Sequence, residues 1–241
     1  MRIIPRIDVK NSFVVKGVQF EGLKKLGDPN DFGLRYYNEG ADELIFMDVV
    51  ASLYGRNSLF ELTAQATEEI FIPITVGGGI KTVSDVEKML TCGADKVAIN
   101  TAAISNPELI TEVANNFGSQ CMVLSIEAKK INEKKWVAYF DSGREKTDIN
   151  VTDWIGEGID RGAGEVYVMS VDCDGRARGC DLELAETITD ICRVPLIFGG
   201  GIGMPEHLHE LSKLKGIDAI SVSHSLHYNK IAINKMKDPR F

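Results

Sequence analysis

The sequence predicts one α/β domain over residues 1–241, a closed (β/α)8 TIM barrel assembled from two similar half-barrels of about residues 1–120 and 121–241. Three observations predict it: internal echoes at one spacing, eight short β-branched runs alternating with helical stretches, and no linker-like tract between the halves. Gly40-Ala41-Asp42-Glu43-Leu44-Ile45-Phe46-Met47 returns 122 positions later as Gly162-Ala163-Gly164-Glu165-Val166-Tyr167-Val168-Met169. Pro73-Ile74-Thr75-Val76-Gly77-Gly78-Gly79-Ile80 returns at the same spacing as Pro195-Leu196-Ile197-Phe198-Gly199-Gly200-Gly201-Ile202. Looser echoes join Gly93-Ala94-Asp95-Lys96 to Gly216-Ile217-Asp218-Ala219 and Ile7-Asp8-Val9-Lys10 to Ile126-Glu127-Ala128-Lys129. Four duplicated βα units close a barrel more economically than they wind an open sheet.

Taken in order, strands are expected near residues 3–8, 44–49, 73–77, 96–100, 122–127, 165–171, 195–199 and 219–223. Helix starts are legible between them. Ser58-x-x-Glu61 and Thr82-x-x-Asp85 have the spacing of capping boxes, while Asp28-Pro29 and Asn106-Pro107 put a cap before a proline at the first helical position. Residues 129–146, with Trp136-Val137-Ala138-Tyr139-Phe140, read as an extra hairpin after the fifth strand.

Composition narrows the function classes. The formal charge is −8 and no long basic block occurs, which argues against a nucleic-acid partner. No apolar run approaches bilayer length, and charge enters within the first eight residues, so neither a membrane span nor a signal peptide is read and the cytoplasm is the expected location. Five scattered cysteines (Cys92, Cys121, Cys173, Cys180 and Cys192) form no CxxC pair and read as buried thiols. His207-x-His209 and His224-x-x-His227 are too sparse for a metal site, and none is expected.

In a barrel of this kind chemistry gathers at the C-terminal strand ends. Asp8 ends the first strand and Glu127 the fifth, so two carboxylates face each other across one mouth, a pair suited to acid/base work if their surroundings separate their proton affinities. After the third and seventh strands come Gly77-Gly78-Gly79 and Gly199-Gly200-Gly201; after the fourth and eighth come Asn100-Thr101 and Ser223-His224. Glycines let backbone N–H groups approach an anion closely, and a helix N-terminus adds a favourable dipole. The duplication therefore predicts two anion seats, with Gly78 and Gly79 in one and Gly200 and Gly201 in the other, and a ligand carrying a phosphate at each end. At the opposite barrel end Arg2, Glu43, Lys96 and Glu165 precede or open strands, and their alternating signs predict a neutral ring of ion pairs across the floor.

Together these residues resemble the cyclase subunit of imidazole glycerol phosphate synthase, within the histidine-biosynthesis barrel family that also contains the phosphoribosyl-formimino isomerase. The likeness is carried along nearly the whole chain by Arg2-Ile3-Ile4, Asp8-Val9-Lys10, Val14-Val15-Lys16-Gly17, Gly27-Asp28-Pro29, Asp42-Glu43-Leu44, Val76-Gly77-Gly78-Gly79-Ile80, Gly93-Ala94-Asp95-Lys96-Val97, Asn100-Thr101-Ala102-Ala103, Phe117-Gly118-Ser119-Gln120, Arg161-Gly162-Ala163-Gly164-Glu165 and Asp172-x-Asp174-Gly175. The resemblance implies a glutaminase partner docked on the N-terminal barrel face as a heterodimer, releasing ammonia that crosses the lumen to a bisphosphorylated ribulosyl substrate. It implies that Arg2, Glu43, Lys96 and Glu165 form the ammonia gate, that Asp95 lies on the docking face, and that Asp8 and Glu127 are the acid/base pair. It places Lys16 on a mobile loop after the first strand, Gly79, Asn100 and Thr101 at one phosphate, and Asp174, Gly175, Gly201, Ser223 and His224 at the other. No metal or organic cofactor is implied.

Three residues depart from the family's pattern: Glu127 stands where aspartate is usual, Arg176 follows Asp174-Gly175 in place of threonine, and His224 replaces serine. Arg176 and His224 are expected to add bulk and positive charge beside the second phosphate. These departures carry an alternative expectation, a divergent paralogue that channels glutaminase-derived ammonia to a separate amidotransferase acting on a surface sugar.

Overall fold

A computed structural model describes residues 1–51 and 59–237. The Ser58-x-x-Glu61 capping box lies outside the described residues in its first member. The chain runs β1 (Arg2–Lys10), β2 (Phe13–Val18), β3 (Glu21–Gly27), α1 (Pro29–Asn38), β4 (Leu44–Asp48), α2 (Leu59–Glu69), β5 (Ile74–Gly77), α3 (Val83–Thr91), β6 (Lys96–Ile99), α4 (Thr101–Ser105) and α5 (Glu108–Phe117). It continues through β7 (Met122–Asn132), β8 (Lys135–Phe140), β9 (Glu145–Asn150), α6 (Val151–Asp160), β10 (Glu165–Ser170), α7 (Leu182–Thr189), β11 (Leu196–Gly199), α8 (Pro205–Ser212), β12 (Ala219–Val222), α9 (His224–His227) and α10 (Ile233–Met236).

Eight parallel strands, β1, β4, β5, β6, β7, β10, β11 and β12, pair in a ring that closes where β12 meets β1 and β10 meets β7. Each coincides with a strand expected from the sequence. Side chains alternate along every strand. On β1, Ile3, Ile7 and Val9 pack outward under the helices, whereas Ile4 points into the lumen beside Ile45, Ala98, Val123, Tyr167, Met169, Ile197 and Ala219. The same parity turns Arg2, Arg6 and Asp8 inward.

Local signals set the helix ends. Thr82 accepts from the Asp85 N–H and the Asp85 carboxylate accepts from the Thr82 N–H, a complete capping box. Asp28 caps the helix that opens at Pro29 through the N–H groups of Asn30 and Asp31. Asn106 differs from expectation: its side chain caps nothing, and α5 opens one residue later at Glu108, with Pro107 as the flanking residue. Among the described residues no helix is long and apolar enough to cross a membrane.

A repeated device fastens the barrel bottom. The carboxylates of Asp42, Asp95 and Asp218 accept from the N–H groups of Ile3, Ile74 and Leu196 at 2.7, 2.8 and 2.9 Å, joining the second, fourth and eighth strands to their predecessors. The sixth unit carries Gly164 instead, because a Cβ there would sit 2.2 Å from the Ser119 carbonyl oxygen.

Two hairpins rise from the top. The β8–β9 pair extends β7, as the sequence suggests for residues 129–146, although the strands reach Asn150. The β2–β3 pair follows the first strand and is not expected from the sequence.

Candidate active site at the barrel mouth

The floor ring forms as its charge pattern predicts. Arg2 bridges Glu43 and Glu165, the latter at 2.7 Å, and Lys96 bridges the same two carboxylates at 3.0 and 2.7 Å. Two cations and two anions thus close the lumen at the N-terminal end with no net charge. Asp95 is exposed beside the ring with one oxygen held by Ile74.

At the mouth the two carboxylates occupy different environments. Asp8 is buried, with Arg6 Nε donating to one oxygen at 2.6 Å and Lys16 Nζ to the other at 2.9 Å. Burial alone would raise this carboxyl, but the flanking Arg6 and Lys16 charges overcome it and hold the group down at about 2. Glu127 has no cation in direct contact among the described residues and accepts only from the Gly143 N–H at 2.7 Å. Burial pushes it up to about 7, against the Arg6 charge and the Gly143 hydrogen bond, which pull the other way. The pair is therefore split as acid/base work requires: one carboxylate locked as an anion, the other near half-protonated at neutral pH.

Lys16 departs from the loop position that the resemblance implied. It lies on β2, is only 1% exposed, and joins Asp8 to Asp174, whose two oxygens lie 3.0 Å from Nζ. Arg6 is the residue that sequence reasoning missed. Its Nη1 reaches the Tyr167 hydroxyl at 3.3 Å, that hydroxyl meets Ser221 Oγ at 3.0 Å, and its guanidinium lies 5.2 Å from the Phe20 ring centre. The alternation of β1 carried the signal, since Arg2, Ile4, Arg6 and Asp8 share one face.

The row Asp174–Lys16–Asp8–Arg6–Tyr167 partitions the mouth. On one side lies a cavity of about 450 Å³ lined by Gly78, Gly79, Asn100, Thr101, Ser125 and Glu127, with Arg6 on its wall. This brings the residues expected at the first anion seat and one expected acid/base residue into one space. Asp8 is not on its lining. The Asp141 N–H donates to Thr101 Oγ1 at 3.2 Å, so the Thr101 proton stays available to a ligand, while one of the two Asn100 Nδ2 protons is given to the Tyr139 carbonyl.

On the other side Asp174, Gly175, Gly200, Gly201, Ser223 and His224 come together as predicted, but around a crevice of only about 10 Å³, room for about one water. Both Gly200 and Gly201 take the left-handed φ that glycine favours, 106° and 92°. Gly201 is pressed by the Gly179 carbonyl, which a Cβ would meet at 1.9 Å, and Gly175 by the Gly17 carbonyl at 2.4 Å. The expected positive charge is absent here. Arg176 is exposed and turned back to the Asp172 carbonyl, and burial lowers the proton affinity of His224, helped by the Lys230 and Lys16 charges.

Residues 2–232 match the family described as "Histidine biosynthesis protein". The "Imidazole glycerol phosphate synthase subunit HisF" of Legionella pneumophila is 51% identical over 209 residues, covering 87% of this chain and 99% of that protein. Its namesakes from Bacillus pumilus and Dictyoglomus thermophilum are 45% and 42% identical, each over 98% of this chain and over 94% and 93% of those proteins. The names give no support to the surface-sugar alternative. The chain belongs to the histidine biosynthesis protein family.

Proposed function

We propose that the chain is the cyclase subunit of an imidazole glycerol phosphate synthase: it takes ammonia from a glutaminase partner and converts a bisphosphorylated phosphoribulosyl-formimino carboxamide ribotide into imidazole glycerol phosphate and aminoimidazole carboxamide ribotide. The observation that carries the reading is the stacking of a neutral, plugged floor beneath a mouth that holds a glycine-lined cavity, a glycine-lined crevice and two differently ionised carboxylates. By the resemblance, the isomerase of the same family needs no such charged lumen entrance. The floor face also presents Met1 and Phe71, 52% and 76% exposed, which suits a docked partner.

Ammonia adds to the ketose carbonyl and water leaves; the new nitrogen then bonds the formimino carbon, whose bond to the ribotide amine breaks. Glu127, near half-protonated and on the cavity wall, supplies protons to the departing oxygen and amine. Asp8 becomes a base only when Lys16 leaves it, so a phosphate that enters the second seat and draws Lys16 from Asp174 also frees one Asp8 oxygen. The mouth is thus armed by occupancy of the second seat.

The test is turnover of that substrate by the purified chain with an ammonium salt, followed as absorbance decay. The wild-type chain turns over, and Asp8→Asn loses roughly 10²- to 10⁴-fold, the usual worth of a positioned acid/base group. Absence of wild-type turnover overturns the reading.

A further inference from the structure

Beneath the second seat, Arg35, Tyr36 and His227 form a hydrogen-bonded file that the reaction scheme does not use and that ends on Ser223. Arg35 Nη2 donates to the Tyr36 hydroxyl at 2.7 Å; that hydroxyl lies 2.6 Å from His227 Nδ1; and His227 Nε2 lies 3.2 Å from Ser223 Oγ. Tyr36 is fully buried and His227 is 5% exposed. The imidazole is stacked on the Tyr36 ring at 5.8 Å and met edge-on by Phe32 at 5.3 Å, which fixes its orientation.

The proton positions in this file follow from counting donors. Burial first, with the Lys16 and Arg35 charges beside it, holds His227 neutral, at about 3, and burial keeps the Tyr36 phenol protonated. Tyr36 already accepts from Arg35, and among the described residues His227 Nδ1 is the only acceptor within reach of its own proton. If Nδ1 carried the ring proton instead, the buried tyrosine O–H would be left unpaired, which costs more than the hydrogen bond itself gains. Nδ1 is therefore the bare nitrogen and Nε2 carries the proton. Nε2 donates to Ser223, and the serine proton, with no other protein acceptor among the described residues, is left for whatever enters the crevice beside Gly201 and His224.

Resting on the two-seat reading above, we propose that Tyr36 and His227 are positioning residues for anion binding: they lock the imidazole as its Nε2–H tautomer so that Ser223 is always a donor to a phosphate in the second seat. A serine free to rotate offers a lone pair to the anion part of the time; this one does not.

The ¹⁵N spectrum of His227 in the full chain tests the lock directly. The expected pattern is a protonated Nε2 and a bare Nδ1, shifting toward a mixture in Tyr36→Phe, which keeps the stacked ring. The reverse pattern in the wild-type chain overturns the proposal. Binding tests the consequence, with ribulose bisphosphate as the probe. Ser223→Ala sets the size of the loss, Tyr36→Phe is expected to weaken binding roughly fivefold, about the worth of one hydrogen bond, and the double variant to lose no more than Ser223→Ala alone. Additive losses, or unchanged binding by Tyr36→Phe, overturn the proposal. Ser223→Ala binding as tightly as the wild-type chain overturns the second seat itself, whatever the tautomer.

Discussion

The two halves of the mouth descend from one plan yet stand in opposite states. Between β4 and β7 the glycine loop opens onto a cavity of about 450 Å³; between β10 and β12 the equivalent loop lines a crevice of about 10 Å³. The glycines are not the cause, since Gly78 and Gly79 take left-handed φ values of 96° and 72° much as Gly200 and Gly201 do. What differs is the chain laid over them. The β8–β9 turn forms one wall of the first half without filling it, through Ser142 to the Val49 carbonyl, Asp141 to Thr101 and Gly143 to Glu127. The second half is filled by the segment around Gly179 and by the β2–β3 hairpin, whose Gln19 N–H bonds the Asp174 carbonyl at 2.9 Å. Duplicated strands therefore supply twin scaffolds, and the loops decide which twin is open.

The sharpest way to break that contrast is to remove the partition. Arg6 is 3% exposed and holds Asp8 in a buried pair, so Arg6→Met leaves a carboxylate with one cation where it had two. Breaking a buried pair costs about 3–5 kcal/mol, read as a lowered midpoint in urea unfolding. Asp8→Asn on the Arg6→Met background recovers part of the loss, because the uncompensated charge is then gone. The Asp8 contribution has a defined pH window: its folded value of about 2 lies below the usual carboxylate range, so the stabilisation is full above pH ~4 and vanishes as pH falls toward 2. Equal destabilisation by Arg6→Met at pH 7 and pH 2 would show that the pair is not what is lost.

Glu127 gives the opposite sign and a somewhat smaller effect. Its folded value is raised to about 7, so its burial is free below pH ~4 and becomes a growing penalty as pH rises through 7. The full penalty is about 3 kcal/mol by the usual conversion of a shift into free energy. Glu127→Gln is expected to stabilise the chain at pH 8 by up to that amount, to leave it unchanged at pH 4, and to abolish turnover's dependence on a group titrating near 7. Stability equal to wild type at both pH values would mean that the carboxyl is well solvated and that the cavity is not the low-dielectric space its lining implies.

The sequence made the barrel legible because duplication amplifies weak signals: one triple glycine is a turn, two at one spacing are an architecture. The floor ring was legible for a simpler reason, as Arg2, Glu43, Lys96 and Glu165 stand at strand starts with signs that cancel. Lys16 and Arg6 were harder. Lys16 sits among Val14, Val15 and Gly17, a stretch too short and too flanked by turn residues to announce the hairpin that buries it. Arg6 reads as surface charge until the parity of β1 is followed inward from Arg2. The state of the second seat was not legible, because it is set by contacts between Gly17, Gly175, Gly179 and Gly201, which lie up to 184 positions apart in sequence. Neither was the role of Asp95, whose carboxylate the resemblance assigned to docking and whose oxygen the fold uses to hold the Ile74 N–H.

The smallest expected effect sharpens the comparison without any substitution. Inorganic phosphate titrated into the substrate-free chain meets an open cavity lined by Gly78, Gly79 and Thr101, and a closed crevice at Gly201 and Ser223 that must first part Lys16 from Asp174. Opening that ion pair sets the second seat behind the first by an expected tenfold or so in affinity, about 1.4 kcal/mol. Amide shifts of Gly78, Gly79 and Thr101 should therefore saturate at lower phosphate than those of Gly200, Gly201 and Ser223. Coincident titration of the two groups would mean that the crevice opens at no cost, and that the asymmetry between the halves has no energetic weight.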